Sequence, residues 1–408
     1  MRYGIALTSQ THQVLQKHLL RGDGQEDVCY ALWRPAQGAG RLTALVSEAI
    51  LPTGDERQVH GNASTTGEYL GRVMKIAAEK RAGVVFLHSH PWPGWQDMSS
   101  DDINTERRQS PAIKATTGLP LVGMTLGTDG AWSGRFWIKT APKTYERQWC
   151  ESVRVIGDGG LKVTFNDALT PPPGFRPELT RTISAWGEEA QQKIARLRFG
   201  IVGVGSVGSV VAERLARIGV QHLKLIDYDH VERHNLDRLL HAGVADAEVR
   251  RLKVDLIGAA IQRSATAAAP IIERLPLAVT EIDGFKEAID CDILFSCVDR
   301  PWARHVLNYI AYGYLIPVVD GGILIRARAG RMKNASWRSH AVYPGQRCLQ
   351  CMGQYDPDLV NVERRGDLDN PTYIENLPST TRCEEMRTCS RSVRTLRPPS
   401  SYTRSTSR

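Results

Sequence analysis

The chain has 408 residues, 42% of them hydrophobic and 24% charged, with eight cysteines and a formal net charge of +8. That length accommodates two cores, and scattered cysteines fit reduced thiols or metal ligands rather than a disulfide scaffold. No apolar run reaches membrane-spanning length and MRYGIALTSQTHQVLQ lacks a secretory apolar region, so the expected setting is cytoplasmic.

The charge is unevenly placed. Residues 381–408 hold seven Arg against two Glu, which leaves the body close to neutral and argues against nucleic acid as a partner. Residues 1–165 read as a compact α+β unit. A helix is expected over His12–Leu20, strands over Asp27–Trp33 and Leu42–Leu51, and a second helix over Glu68–Lys80. An apolar strand over Gly83–His90 runs into HSHPWPGWQDMSSDD, and strands follow at Leu119–Thr128 and Gly134–Thr140. Residues 166–180 include ALTPPPGFRPELT, whose prolines continue neither sheet nor helix and mark a linker. From residue 181 strands and helices alternate through Val319, which implies a parallel sheet covered by helices on both faces.

In the first unit His88 and His90 alternate on one strand, so both imidazoles point to one face. Ser99-x-x-Asp102 follows and can return a carboxylate to them. Two nitrogens and one oxygen leave a tetrahedral cation an open fourth position, the arrangement of a catalytic rather than a structural zinc site. His-x-His-Pro followed by Ser-x-x-Asp resembles the JAMM (JAB/MPN) metalloprotease family, with its cytidine-deaminase-like fold. The resemblance implies zinc held by His88, His90 and Asp102, an oxyanion role for Ser99, and cleavage of peptide or isopeptide bonds after ubiquitin-like C-termini. It also implies a catalytic Glu at the start of the strand after the first helix, where Glu26 fits better than Glu48. Asp101 competes with Asp102, but only Asp102 keeps the spacing from Ser99.

The second unit is organised around FGIVGVGSVGSVVAERLARIGVQHLKLIDYDHVERHNLDR. A strand over Phe199–Val204 leads into Gly203-x-Gly205-x-x-Gly208, a helix covers Val210–Ile218, and a strand over His222–Ile226 ends at Asp227. Glycines let a phosphate approach the backbone, the helix N-terminus offers unpaired N–H groups, and an acid at Asp227 accepts from ribose. Asn235, Arg238, Lys253 and Asp299 then add two cations and a carboxylate, a set suited to a triphosphate with Mg²⁺ rather than to hydride transfer.

From about Arg181 to Cys351 these motifs, in order, resemble the ThiF/MoeB family of Rossmann-like, doubly wound adenylating domains shared with ubiquitin-activating enzymes. The resemblance implies that Asp227 binds ribose, that Arg238 and Lys253 bind the phosphates of ATP, and that Asp299 holds Mg²⁺. Asn235 would touch phosphate or shape its loop. Arg181 would reach the γ-phosphate of a second subunit, so a homodimer is expected. Leu239 stands where the family usually has Gln, and Lys253 comes about two residues late. The implied reaction is adenylation of the C-terminal glycine of a ubiquitin-like or sulfur-carrier protein, with a conjugating enzyme as a further partner. Conjugation and sulfur transfer both remain open as its purpose, as does a regulatory binder without turnover.

Cys348-x-x-Cys351 admits three readings: half of a zinc site whose second pair is not matched by the spacing of Cys383 and Cys389, a thioester-forming thiol such as Cys351, or ordinary thiols. The Arg/Ser-rich tail, 381–408, lacks apolar periodicity. It reads as a disordered arm or as an out-of-frame end, since a shifted frame from Met386 to Ser392 can spell Ala-Asn-Val-Phe-Ala-Phe, an apolar string suited to a final strand.

Overall fold

A computed structural model describes residues 1–60, 62–328 and 331–368. The tail, Cys383 and Cys389 lie outside the described residues. Among the described residues two large sheets form, of nine and six strands, together with a two-stranded ribbon.

The first unit runs β1 (Arg2–Thr8), α1 (Ser9–Leu19), β2 (Val28–Gln37), β3 (Arg41–Ile50), the ribbon β4 (Arg57–His60) and β5 (Asn62–Thr65), and α2 (Gly67–Glu79). It continues with β6 (Gly83–Ser89), α3 (Ser100–Thr117), β7 (Leu121–Leu126), β8 (Trp132–Ala141), β9 (Thr144–Trp149), β10 (Ser152–Gly157) and β11 (Gly160–Phe165). The sheet order is β11-β10-β1-β3-β2-β6-β7-β8-β9. Its central strands are apolar on both faces because both are covered, and the alternation of side chains sorts the core into two layers. Cys29, Ala31 and Trp33 of β2 and Val85 and Leu87 of β6 pack with Leu15 and Leu19 of α1. Val28, Tyr30, Leu32, Val84 and Phe86 pack on the other side with Tyr69, Val73 and Ala77 of α2 and Ile113 of α3. Each such apolar side chain contributes roughly 1.5–3 kcal/mol on full burial. His88 continues the even-numbered face of β6, so it points towards α3.

The second unit contains α4 (Thr180–Trp186), α5 (Glu188–Arg196), β12 (Arg198–Val202), α6 (Ser206–Arg217), β13 (His222–Ile226), α7 (Val244–Glu248), α8 (Lys253–Ser264) and β14 (Ile271–Leu275). It ends with α9 (Ile282–Ala288), β15 (Ile293–Ser296), α10 (Pro301–Gly313), β16 (Val318–Arg328), β17 (Arg331–Val342) and α11 (Pro357–Arg365). The order β14-β13-β12-β15-β16-β17 is parallel as far as β16. Helices α6 and α8 pack on one face, and α9, α10 and α11 on the other. The parallel pattern expected through Val319 is present, and beyond it β17 returns antiparallel to β16. Chain order reverses on either side of β12, and ligands of open α/β sheets bind at such a switch point, beyond the C-terminal strand ends.

The two units are joined by charge. The Asp290–Asp292 turn before β15 presses against the start of β3. Gly40 and Arg41 donate their backbone N–H groups to Asp290 at 2.7 and 3.1 Å. Arg41 Nη1 donates to Asp292 Oδ1 at 2.6 Å, and Arg154 approaches the same oxygen at 3.3 Å. A Cβ on Gly38 would lie 1.9 Å from Asp290 Oδ1, so no side chain is tolerated at that approach.

Candidate functional site: a nucleotide cleft and a histidine–carboxylate cluster

The glycine loop follows β12. Gly203 has φ +84°, and a Cβ there would lie 2.7 Å from the carbonyl oxygen of Cys297. A Cβ on Gly208 would lie 1.9 Å from the carbonyl oxygen of Gly203, so only glycine lets α6 start this close to the strand. A Cβ on Gly205 would meet nothing within 4 Å, so the space beside its backbone is open to a ligand. The first turn of α6 has no side-chain cap, leaving its amides directed at the cleft.

Asp227 ends β13 only 8% exposed, and its two oxygens accept from Val204 N and Asp229 N, each at 2.8 Å. Burial raises its pKa above the ordinary carboxylate value, against the pull of those amides and Lys253. These bonds tie the acid to the glycine loop and leave its remaining lone pairs towards the cleft.

Arg238 and Lys253 line the same cavity of about 360 Å³, as does Asp299 after β15. That size suits a small-molecule ligand. Arg238 donates to His234 O at 2.5 Å and to Asp237 at 2.8 Å, and Lys253 Nζ meets Asp229 Oδ2 at 2.8 Å. Both cations are thus held by partners that a phosphate can replace or share. Asn235 is buried, and its Oδ1 accepts from Glu232 N at 3.0 Å in a reciprocal cap, which gives it a loop-shaping part. Arg181 is exposed on α4 and lies apart from the residues lining the cleft. Tyr228 and Glu363 are among the lining residues that sequence reasoning does not single out. Tyr228 carried no motif signal beyond its place beside Asp227, and Glu363 comes from α11, after the last motif. Glu363 accepts from Trp302 N at 2.8 Å and faces Arg300 at 3.8 Å.

A second cluster lies in the first unit. His88 Nε2 and His90 Nε2 are 3.1 Å apart, His88 Nε2 is 3.3 Å from Asp102 Oδ1, and His90 Nε2 is 3.4 Å from Asp102 Oδ2. A tetrahedral zinc ion with arms near 2.05 Å has ligand–ligand edges of about 3.3 Å, so the three donors already stand at the required spacing. Burial opposes ionisation of Asp102, but bonds to His88, His90 and Ser99 outweigh it and hold the carboxyl well below its usual range. Ser99 is the N-cap of α3. Its N and Oγ both donate to Asp102 Oδ2 at 2.8 Å, so the hydroxyl proposed for an oxyanion is engaged in fixing the carboxylate.

Glu26 precedes β2 and, with His90, lines a recess of about 210 Å³. Glu48 points elsewhere, paired with Lys80 at 2.6 Å, and Asp101 is exposed on α3. Cys348 Sγ and Cys351 Sγ are 3.2 Å apart in a turn, where Cys351 N also donates to Cys348 Sγ at 3.3 Å.

Comparison with known proteins bears on the second unit. Residues 179–374 match the sequence profile of the ThiF family. The chain is 27% identical over 201 residues to "Adenylyltransferase and sulfurtransferase UBA4" of Yarrowia lipolytica, covering 48% of this chain and 47% of that protein. It is 34% identical over 212 residues to "Ubiquitin-like modifier-activating enzyme 5" of Xenopus laevis, covering 47% and 48% respectively. The chain thus spans about half the length of the curated relatives it matches. Among solved structures, Escherichia coli MccB crystallised with ATP is 18% identical, covers 48% of this chain and 57% of that one, and gives a TM-score of 0.37. Residues 179–374 are a ThiF family domain.

Proposed function

We propose that this chain adenylates the C-terminal glycine of a ubiquitin-like or sulfur-carrier protein and carries, in its first unit, a JAMM-type zinc (iso)peptidase for the same class of protein. The observation that supports adenylation most is the gathering of the open glycine loop, Asp227, Arg238, Lys253 and Asp299 around one cavity in a ThiF family domain.

In the proposed reaction ATP sits with its ribose at Asp227 and its phosphates between the glycine loop, Arg238 and Lys253. A carboxylate oxygen of the terminal glycine attacks the α-phosphorus, the bond to the bridging oxygen breaks, and pyrophosphate leaves with the electron pair. The products are an acyl-adenylate and pyrophosphate. Arg238 and Lys253 offset the charge that grows on the leaving group, and the α6 amides hold the phosphates in line. Asp299 would hold Mg²⁺, which screens the phosphates when bound. Arg181 would act on a second subunit's nucleotide, and a homodimer is proposed on that ground.

In the first unit His88, His90 and Asp102 would hold zinc, which lowers the pKa of a bound water when present. Glu26 would accept and return a proton there, a role supported by its lining the same recess as His90. Cys351 is proposed as a thioester acceptor only where the product is a conjugate; a sulfur-transfer product would not need it.

The reading is tested by incubating the protein with α-phosphate-labelled ATP and glycine-ended carrier candidates. Label should pass to a carrier and be lost when its final glycine is deleted; label that never joins any carrier would count against the proposal.

A further inference from the structure

One cation of the nucleotide cleft has no part in the proposed reaction. Arg300 follows Asp299 and lines the same cavity as the glycine loop, Asp227, Arg238 and Lys253. Arg238 and Lys253 are engaged, the first with His234 O and Asp237 and the second with Asp229 Oδ2. The Arg300 guanidinium donates no hydrogen bond among the described residues, and its one acidic partner there is Glu363 Oε1, 3.8 Å from Nη1. Glu363 gives its other oxygen to Trp302 N at 2.8 Å. The direction of Arg300 is nevertheless set. Pro301 restricts the residue before it to extended backbone, and Arg300 has φ −89° and ψ 138°. Pro301 lacks an N–H and Trp302 N is taken, so the first two residues of α10 offer the cleft no donor. What this wall presents is the Arg300 guanidinium, with 39% of the side chain exposed.

We propose that Arg300 binds the terminal carboxylate of the carrier protein and aims it at the α-phosphorus. The inference rests on the reading of this cleft as an adenylation site. Three observations carry it. First, sheet order puts Arg300 across the cavity from the two cations assigned to phosphate. The glycine loop ends β12, which lies between β13 and β15; Arg238 and Lys253 follow β13, and Arg300 follows β15. Phosphorus displacement keeps the attacking and leaving oxygens roughly in line, on opposite sides of the phosphorus. With pyrophosphate leaving towards Arg238 and Lys253, the carboxylate enters from the β15 side, where Arg300 stands. Second, that carboxylate is repelled by the triphosphate it approaches, and a guanidinium offers both the opposing charge and a planar fork of N–H groups matched to two carboxylate oxygens. Third, the hold of Glu363 is loose: a partly exposed pair at 3.8 Å contributes little, so an incoming carboxylate displaces no strong partner. In the reaction one carboxylate oxygen attacks phosphorus, while the other becomes the carbonyl oxygen and stays on the guanidinium. Arg300 neither gains nor loses a proton.

The test loads the full chain with α,β-methylene-ATP, which cannot transfer its AMP group. It then measures binding of glycine-ended carrier candidates whose terminal carboxylate is either free or converted to a primary amide. Wild type should prefer the free acid roughly 10-fold or more, the worth of a hydrogen bond to a charged group. Arg300→Ala should bind both forms alike, at the affinity of the amide, and Arg300→Lys should recover part of the preference. ATP affinity and the thermal midpoint should stay at their wild-type values. Arg300→Gln, which keeps the bulk without the charge, repeats the measurement should Arg300→Ala lower the midpoint. A charge-free variant that keeps the wild-type preference for the acid overturns the role. So does one whose ATP affinity falls as far as its carrier affinity, since Arg300 would then be a phosphate ligand. If wild type holds the nucleotide but binds no candidate better as the acid than as the amide, the adenylation reading itself fails and the role of Arg300 falls with it.

Discussion

Arg41 and Asp292 meet at 2.6 Å with about 5% or less of either side chain exposed, although 250 residues separate them along the chain and they belong to different sheets. Arg154 joins the pair, and the Arg198 backbone N–H donates to the second carboxylate oxygen at 3.0 Å. The attraction of Arg41 and Arg154 overcomes burial and depresses the Asp292 carboxyl to about 2. The two units are therefore coupled by a contact that is intolerant of losing one partner.

That coupling gives the first prediction. Arg41→Ala leaves Asp292 buried beside Arg154 alone and should cost about 3–5 kcal/mol of stability, whereas Arg41→Met with Asp292→Leu and Arg154→Met, which leaves no charge of this group behind, should cost far less. Denaturant unfolding of the two variants checks it; equal losses would mean that the pair is not acting as a unit.

His222 opens β13 beside the same interface. Burial, reinforced by Arg198 and Arg2, lowers its pKa to about 4, while Asp292 pulls weakly the other way. A histidine with a depressed folded pKa binds its proton more readily when unfolded. It therefore costs no stability above the unfolded value near 6.5 and costs progressively more as pH falls towards 4. Wild type should lose thermal stability more steeply over that window than His222→Asn, and parallel curves would remove His222 as the cause.

Gly208 is a test of the glycine loop. With a Cβ only 1.9 Å from Gly203 O, Gly208→Ala forces α6 away from β12. Overpacking of this kind costs about 1–3 kcal/mol, and ATP binding should fall with it in calorimetry. Retained ATP affinity would show that the loop is not where phosphate binds.

If the histidine–carboxylate cluster holds a metal, stability should follow the metal. A chelator should lower the thermal midpoint of wild type and leave His88→Ala/His90→Ala unmoved, because a ligand at 100 times its Kd adds about 2.7 kcal/mol. Equal responses would count against a bound ion.

The parts of this molecule legible in the sequence are those written locally. The strand over His222–Ile226 and the glycine loop follow from short-range apolar runs and from backbone geometry that only glycine supports. The convergence of His88 and His90 follows from strand alternation alone. Helix α3 lacks an apolar signal in sequence, because its surface is largely polar and Pro111 lies within it; the Ser99–Asp102 capping box is its local start signal. Strand β10 depends on pairing with β1, at the far end of the unit, whereas β11 and β17 fold back on their sequence neighbours β10 and β16. The charges of Arg41, Arg154, Asp290 and Asp292 look like surface residues in sequence, since nothing local reveals a partner in the other unit.

The measurement that bears most directly on the account is ATP–pyrophosphate exchange by the full chain with glycine-ended carrier candidates, run beside Arg238→Ala. Loss of one charge-assisted contact to developing charge costs about 2.7–4 kcal/mol, so exchange should fall some 10²–10³-fold in the variant. Exchange that depends on a carrier's terminal glycine and collapses in Arg238→Ala is the predicted result. Exchange of equal rate in both proteins, or none with any carrier despite intact ATP and carrier binding, would contradict adenylation at this cleft.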